Sequence, residues 1–346
     1  QKAKMKNSKT NDAVTEEKIL GVYRDIYKEK LETVKNNPNQ AVREAGLKVN
    51  ELSSIELKTN PSSWASKAID NGLSQLSLKD ANAKLAPISA EDLPEAKKAF
   101  EDMSINNQLS LIGNLIQGSK GISNGERIWR ATLEQIGGGD KNYLAAGVAK
   151  MNGFKSTQGR ELATSIINGT FLLKNEQLIM PEENKIKTAF NKYLGNTVGG
   201  TSANELYSVV KAVYVDTMKA RNLSHTSVSK ELNANVFNFA LEFGTGGVYS
   251  QNGEFTNYGG GELKDWKVSK PYGMDNDRFK TFLDKGYSDL SRHTGIPVSD
   301  LETLKLSRSD KRSAKGEIQY DLLNERFNPI TVNGVQWRIV LPGVTK

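Results

Sequence analysis

The sequence contains no cysteine and only two histidines, His225 and His293, among its 346 residues. The missing thiols exclude a disulfide framework, a cysteine nucleophile and any metal site built on thiolates. Two histidines also argue against a zinc centre. Neither lies near an Asp–Ser or cysteine arrangement typical of a catalytic triad. We therefore expect no metal and no cofactor, and we interpret both histidines as capping or surface residues.

Long hydrophobic runs are also missing, since no apolar stretch approaches the ~18 residues that a membrane span requires. Hydrophobic residues make up 37% of the chain, which is low for one compact core. Enough apolar side chains remain for local cores, so the composition is not that of a disordered chain. The chain also begins without methionine. We expect residue 1 to be internal to a longer precursor or to have been exposed by processing.

Positive charge is in modest excess, with 47 Lys+Arg against 40 Asp+Glu and a formal net charge of +7. Such an excess favours contact with polyanions, including the DNA backbone or an anionic envelope surface, although ordinary solubility explains it equally well. The densest basic cluster comprises Lys305, Arg308, Lys311, Arg312 and Lys315. We interpret this cluster either as a set of possible phosphate contacts or as a solvated loop.

What the sequence does contain is helical periodicity, which predicts a series of helices of roughly 12 to 20 residues between residues 13 and 243. Two possible capping boxes, Ser123–Glu126 and Ser202–Glu205, mark helix starts, and Asp140 can cap another helix. The first helix carries one apolar stripe made of Ile19, Tyr23, Ile26, Tyr27, Leu31 and Val34. No alternation of strand and helix appears, so we expect no parallel sheet.

The composition changes at Gly244, after which glycine becomes frequent and an extended loop is predicted over residues 244–273. A small hairpin fits Val248–Tyr249 with a turn at Asn252–Gly253, and a helix fits residues 277–293. The apolar segments around Asn333–Gly334 predict a C-terminal hairpin with a type I′ turn.

The predicted fold class is therefore mainly α, an elongated array of short helices with a Gly-rich loop region and a small C-terminal β-hairpin. The predicted organisation is a flexible basic segment at 1–12, a helical body at 13–243, and a region at 244–346 with the Gly-rich loop, one helix and the hairpin.

Candidate chemistry is sparse in this sequence. The stretch Gly244–Gly247 follows a helix, whereas a dinucleotide or phosphate loop precedes one, so we interpret it as a helix stop. Glu242, Glu254 and Glu262 could hydrolyse a glycan if two of them paired and one were buried, but a surface role is the simpler interpretation. The run Asp275–Asp277 lacks the later glycine and glutamate of an EF-hand and predicts a helix cap.

The order of the features is itself informative. Short helices with glycine stops lead to a Gly-Gly turn ending at Asn252–Gly253, then to Pro271–Met274, an acidic cap and a helix. The chain closes on Tyr320–Asn324 and on the hairpin with Asn333–Gly334 and Trp337. Over roughly residues 40 to 346 this layout resembles the large internal virion or ejection proteins of tailed bacteriophages.

In that family a transglycosylase module, with a catalytic glutamate followed by serine, is often joined to a long helical body. No Glu–Ser pair occurs in this sequence, so no catalytic residue carries over and we expect no enzyme. The resemblance implies a structural virion protein, internal or tail-associated, which forms a homo-oligomeric conduit for DNA across the host envelope. Other virion, tail or portal proteins are its implied partners.

Two other functions stay open at this point. One is part of a virion-associated peptidoglycan-degrading enzyme, with Glu242 or Glu254 as its acid. The other is a sequence-independent DNA-binding protein that uses the basic cluster, whose affinity would fall steeply with salt.

Overall fold

The computed structural model describes residues 13–78, 84–176, 178–194, 197, 200–226, 230–251, 255–256, 262–263, 266–272, 274–312 and 318–341. The predicted basic segment at 1–12 and the predicted turn at Asn252–Gly253 lie outside these ranges.

The chain divides into two compact units. The first comprises Gln1–Ser104 and Ser110–Gly139, and the second comprises Ile105–Leu109 and Asp140–Lys346. The division follows the three glycines at 137–139 and does not coincide with the predicted boundary after residue 243, because the later helices and the C-terminal strands form one unit.

Helices dominate the described residues, which confirms the mainly α prediction. Those that begin before residue 140 are α1 (Ala13–Asn36), α2 (Pro38–Glu44), α3 (Ser54–Thr59), α4 (Pro61–Ser77), α5 (Leu93–Glu101), α6 (Ile105–Ser119) and α7 (Gly125–Ile136). Those that follow are α8 (Lys141–Asn152), α9 (Leu162–Asn175), α10 (Glu183–Leu194), α11 (Gly200–Ala220), α12 (Ala234–Thr245), α13 (Asn276–Thr294) and α14 (Val298–Glu302).

The core of the first unit is built where α4 and α5 pack against α7. Trp64, Phe100 and Trp129 are completely or almost completely buried there. Gly72 of α4 faces Ile128 of α7 so closely that an added Cβ would lie 2.4 Å from the Ile128 Cγ2 atom. The two helices therefore approach each other only because position 72 has no side chain.

Side-chain amides fasten the segment at 84–89, which has no regular structure, to the helices around it. Gln75 accepts from the backbone N–H of Ala86 (2.8 Å) and donates to its carbonyl (2.8 Å). Gln135 makes the same reciprocal pair with Ile88, at 2.9 and 2.8 Å. Asn71 donates to the Pro87 carbonyl at 3.0 Å. These bonds satisfy buried backbone groups whose partners would otherwise come from a helix or a sheet.

The second unit begins with a helical part in which α9 crosses α11 and α12 packs against α11. A Cβ at Gly169 would lie 1.8 Å from the carbonyl oxygen of Ala212, so the backbones of α9 and α11 are in direct contact there. The carboxylate of Asp216, on α11, is buried and accepts from the guanidinium of Arg160 and from Asn168 Nδ2 (3.3 Å). The ion pair compensates a charge inside this helical core.

Strands form the remainder of the second unit. They are β1 (Val248–Gln251), β2 (Phe255–Thr256), β3 (Glu262–Leu263), β4 (Trp266–Ser269), β5 (Lys305–Arg312), β6 (Ile318–Leu323), β7 (Thr331–Val332), β8 (Val335–Gln336) and β9 (Arg338–Leu341). All pairings are antiparallel, in the sheets β1-β4, β2-β3, β5-β6-β9 and β7-β8. The three-stranded sheet and α13 share one apolar core that contains Phe279, Tyr320 and Ile339.

Two parts of the β prediction need correction. The segment with Val248–Tyr249 pairs with β4 rather than with the residues just after Asn252–Gly253, so the predicted extended loop contains a long hairpin. The C-terminal hairpin exists, and its turn residues Asn333 (φ 53°) and Gly334 (φ 77°) have the left-handed conformation of a type I′ turn. It is shorter than predicted, because β9 leaves it to join β6.

The predictions of two capping boxes, at Ser123–Glu126 and Ser202–Glu205, are also wrong. The N-cap of α7 is Asn124, whose left-handed backbone (φ 60°) makes no side-chain cap bond. Helix α11 begins at Gly200, which places Ser202 inside the helix. Other boundary predictions are confirmed, since Asp140 accepts from the Asn142 N–H and Asp275 accepts from the Arg278 N–H at the starts of α8 and α13.

Candidate functional site

A cleft of about 520 Å³ opens in the second unit and is the candidate ligand site of this chain. Its walls come from five separate stretches of sequence: the turn at 154–157, Leu162 of α9, Tyr193 of α10, the end of α12 with the residues after it, and residues 270, 272 and 274–276. The volume falls within the range of about 300–1,000 Å³ that is usual for small-molecule sites.

The glycines after α12 shape one wall of this cleft. Gly246 ends the helix in a left-handed conformation (φ 85°), as the predicted helix stop required, and Gly247 repeats it. A Cβ at Gly246 would lie 2.8 Å from the Lys270 carbonyl oxygen. Glycine therefore allows the end of α12 to approach the end of β4, which brings Glu242 and Lys270 to the same cleft.

Aromatic rings supply most of the apolar lining. Phe154 and Tyr272 have ring centroids 5.4 Å apart, and Phe239 and Phe243 are 5.2 Å apart. Tyr193 adds a phenol whose pKa burial raises to about 12, helped by the charge of Glu242 and opposed by hydrogen bonds with Thr245 and Val248. At neutral pH this phenol is therefore protonated.

Charges of both signs line the same cleft. The Lys270 ammonium donates to Asn276 Oδ1 at 2.8 Å. Burial lowers the pKa of Lys270, and the nearby carboxylates of Asp275 and Glu242 partly offset this effect. With Lys155 on the rim, two cations and two anions face the space, so the lining carries no net charge. An uncharged polar ligand or a zwitterion fits this balance.

Of the three glutamates in the glycan hypothesis, Glu242 has a described side chain. Glu242 is exposed on the cleft wall. Glu254 lies outside the described residues, and Glu262 pairs through its backbone with Thr256. The second carboxylate that does line the cleft is Asp275, which also caps α13. The sequence predicts only a helix cap for Asp275, because only the fold brings it to the same cleft as Glu242.

The basic cluster is mostly a strand and not a loop. Lys305 is buried, at 3% exposure, with its ammonium 4.3 Å from the ring centroid of Phe327. The strand directs this residue toward the side occupied by Trp266. Arg308 donates to the Ser269 hydroxyl and to the Lys270 carbonyl, both at 3.1 Å. These bonds give Arg308 a structural role between β5 and β4.

The other three cationic side chains of the cluster are not among those described. Lys311 and Arg312 belong to β5 by their backbone, and Arg312 pairs with Ile318. Lys315 lies outside the described ranges. Their contact with phosphates stays a prediction.

The two histidines occupy different surroundings. His225 is half-buried, and its Nε2 lies 2.8 Å from the hydroxyl of Tyr214, which in turn accepts from the Asn233 N–H at 3.1 Å. His293 lies in the last turn of α13, where its Nδ1 is 2.7 Å from the Asp289 carbonyl. The helix-end prediction is confirmed for His293, whereas His225 packs against a buried tyrosine.

A second surface of note is the apolar stripe of α1, which is exposed. The exposed fractions are 38% for Ile19, 58% for Val22, 47% for Tyr23, 44% for Ile26, 68% for Tyr27 and 37% for Leu31. Val34, which was predicted to belong to the stripe, has a side chain outside those described. We call the six exposed residues the α1 stripe.

Comparison of the chain with protein-family models, with curated proteins and with solved structures found no match. In the part of the chain that the structure describes, no helix combines the length and apolarity needed to cross a bilayer. The same residues contain no group of three or more acidic or histidine side chains arranged to hold a metal.

Proposed function

We propose that this chain is a structural bacteriophage virion protein of the internal or ejection type, which helps to form an oligomeric conduit for DNA across the host cell envelope. The observation that carries the proposal is the exposed α1 stripe. An amphipathic helix normally covers its apolar face with the rest of its own fold. A contiguous exposed apolar face is typical of a protein–protein contact. The partners are further copies and other virion, tail or portal proteins.

Three further properties support a role in assembly and delivery. Each compact unit buries its own aromatic core, so a local structure can form again after passage through a narrow opening. No disulfide constrains that process. The net charge of +7 offsets phosphates along a DNA path.

The oligomeric state tests this proposal. We expect size exclusion coupled to light scattering to give a mass several times that of the 38.1 kDa chain, and negative-stain images of the same peak to show rings or tubes. A monomer that persists at all accessible concentrations, also with virion and tail proteins of the same phage added, would contradict it.

The cleft favours a second candidate, a part of a virion-associated peptidoglycan-degrading enzyme. The specific observation is that Glu242 and Asp275 line one space together with aromatic rings. A pair of carboxylates is what glycan hydrolysis uses. We expect Glu242→Gln to abolish the release of soluble peptidoglycan fragments if this candidate is correct, whereas the matched control Glu302→Gln on α14 should not. Absence of release by the unaltered chain would remove the enzymatic candidate and leave the structural proposal intact.

A further inference from the structure

Four charged side chains line the cleft of the second unit, and two of them are already engaged within the chain. The Lys155 ammonium lies 3.8 Å from the carboxylate of Glu161. The Asp275 carboxylate accepts the Arg278 N–H at 2.8 Å, as the cap of α13. One acid and one base of the lining remain to be satisfied by a ligand.

These two remaining charges are Glu242 and Lys270, and neither forms an ion pair with another described residue. The Lys270 ammonium is bonded to the uncharged amide of Asn276, which uses one of its three donors. The two charges are near enough for the Glu242 carboxylate to oppose the fall in the pKa of Lys270. They therefore share one space without contacting each other, and a small ligand can contact both.

The surroundings of Glu242 suit an ammonium group. Phe239, Glu242 and Phe243 lie on one face of α12, because residues three and four apart are neighbours on a helix. The faces of aromatic rings attract cations. The guanidinium of Arg221, which does not line the cleft, already lies 5.4 Å from the ring centroid of Phe239. A ligand ammonium at Glu242 would therefore have the ring of Phe243 beside it.

The signs of the charges discriminate between classes of ligand. A ligand that fills the cleft displaces water from Glu242 and Lys270, and a charge that loses water needs a counter-charge or hydrogen bonds in its place. An anion would pair with Lys270 but meet two carboxylates, whereas a cation would pair with Glu242 but meet Lys270. An uncharged sugar would leave both without a counter-charge. A zwitterion supplies one counter-charge to each.

We infer that this cleft binds an α-amino acid with a large apolar side chain. Its ammonium pairs with Glu242, and its carboxylate accepts hydrogen bonds from Lys270. Its side chain packs on the wall formed by Phe154 and Tyr272, whose ring centroids lie 5.4 Å apart. This binding site goes beyond the proposed role in assembly and does not depend on it.

The first experiment compares probes that carry both charges or only one. L-phenylalanine and L-leucine are titrated into the full chain at pH 6 by isothermal titration calorimetry. Phenylalaninamide, which keeps only the ammonium, and N-acetylphenylalanine, which keeps only the carboxylate, are titrated in the same way. We expect phenylalanine to bind one site per chain, roughly tenfold more tightly than either singly charged analogue, because only phenylalanine pairs with both residues.

The second experiment assigns each ligand charge to its residue. Glu242→Gln should weaken the binding of phenylalanine and of phenylalaninamide roughly tenfold, but should not weaken that of N-acetylphenylalanine. Lys270→Gln, which keeps a donor for Asn276, should weaken phenylalanine and N-acetylphenylalanine but not phenylalaninamide. The matched controls Glu302→Gln and Lys280→Gln change exposed residues outside the cleft and should have no effect.

Three outcomes would overturn the inference. One is the absence of binding by both phenylalanine and leucine up to their solubility limits. Another is a loss that is equal for all the phenylalanine probes in either cleft variant, since the charges would then not act separately. The third is tighter binding of N-acetylglucosamine than of phenylalanine, which would instead favour the glycan candidate. None of these outcomes bears on the oligomeric state, so the assembly proposal is tested separately.

Discussion

Helices α1 and α7 belong to the same unit and carry the same kind of apolar stripe, yet one stripe is exposed and the other is buried. In α7, Ile128, Trp129 and Leu133 are at most 2% exposed, because α4 and α5 pack against them. In α1, Val22 and Tyr27 are more than half exposed. The comparison teaches that helical periodicity identifies a face that will be covered, but does not identify what covers it. A buried face stabilises the fold, whereas an exposed one is available for assembly.

The largest expected effect is the loss of an aromatic side chain from the buried face. We expect Trp129→Ala to lower the free energy of unfolding by about 3–5 kcal/mol, because it leaves a cavity in place of a buried ring. Ile26→Ala in the α1 stripe should change it by no more than about 0.5 kcal/mol in the monomer. Urea denaturation followed by circular dichroism measures both. Equal losses would mean that the α1 stripe is buried within its own chain.

A contrast of the same kind exists between charged pairs. Removing the guanidinium with Arg160→Ala should cost about 3–5 kcal/mol, because the buried carboxylate of Asp216 loses its counter-charge. The exposed pair of Lys280 and Asp284, 2.9 Å apart on α13, should lose far less stability with Lys280→Ala, because water already solvates both charges. Thermal unfolding of the two variants gives the comparison. A loss below 1 kcal/mol for Arg160→Ala, approximately the surface value, would show that Asp216 is reached by water.

Two glycines should respond to alanine with opposite signs. Gly72→Ala places a Cβ 2.4 Å from Ile128, and we expect a destabilisation of about 1–3 kcal/mol from overpacking between α4 and α7. Gly21→Ala on α1 meets nothing within 4 Å and should stabilise by about 0.5–1 kcal/mol through helix propensity. Chemical denaturation of the monomer measures both. A destabilising Gly21→Ala would place another segment against α1.

The smallest expected effect is a pH dependence from Asp216. Burial raises the pKa of this carboxyl above its ordinary value of 3.8, although Arg160 opposes the shift. The folded state therefore holds the proton to higher pH than the unfolded state does. The contribution of Asp216 to stability is greatest below pH 3.8 and declines as pH rises through the folded pKa. In a series of unfolding free energies measured against pH, Asp216→Asn should remove this decline. Arg160→Ala should extend the decline to higher pH, because the pKa of Asp216 rises further without the guanidinium.

Local signals in the sequence predicted the helices and several of their ends well. Asp140 and Asp275 cap helices as expected, and the turn at Asn333–Gly334 has the predicted backbone conformation. These features depend on a few neighbouring residues, so a single sequence contains the necessary information.

Long-range pairing was much harder to predict. Strand β9 has only four residues, and the buried alternation of β6 and β9 is limited to Tyr320 with Leu322 and Ile339 with Leu341. This alternation is typical of strands, but the charged residues of β5 favour the interpretation of the neighbouring segment as a loop. The cleft was not predictable, because five separate stretches form it and the approach of Gly246 to Lys270 is a tertiary contact.

The reciprocal bonds that Gln75 and Gln135 make to Ala86 and Ile88 should slow the hydrogen exchange of these two backbone amides. A segment without helix or strand ordinarily exchanges its amide protons within moments of entering D₂O. Here each glutamine side chain acts as a neighbouring strand would, so the Ala86 and Ile88 amides can exchange only when these bonds open, and with them part of the surrounding packing. In a peptide-resolved deuterium-uptake map, the segment at 86–88 will therefore have the slow kinetics of α4 and α7.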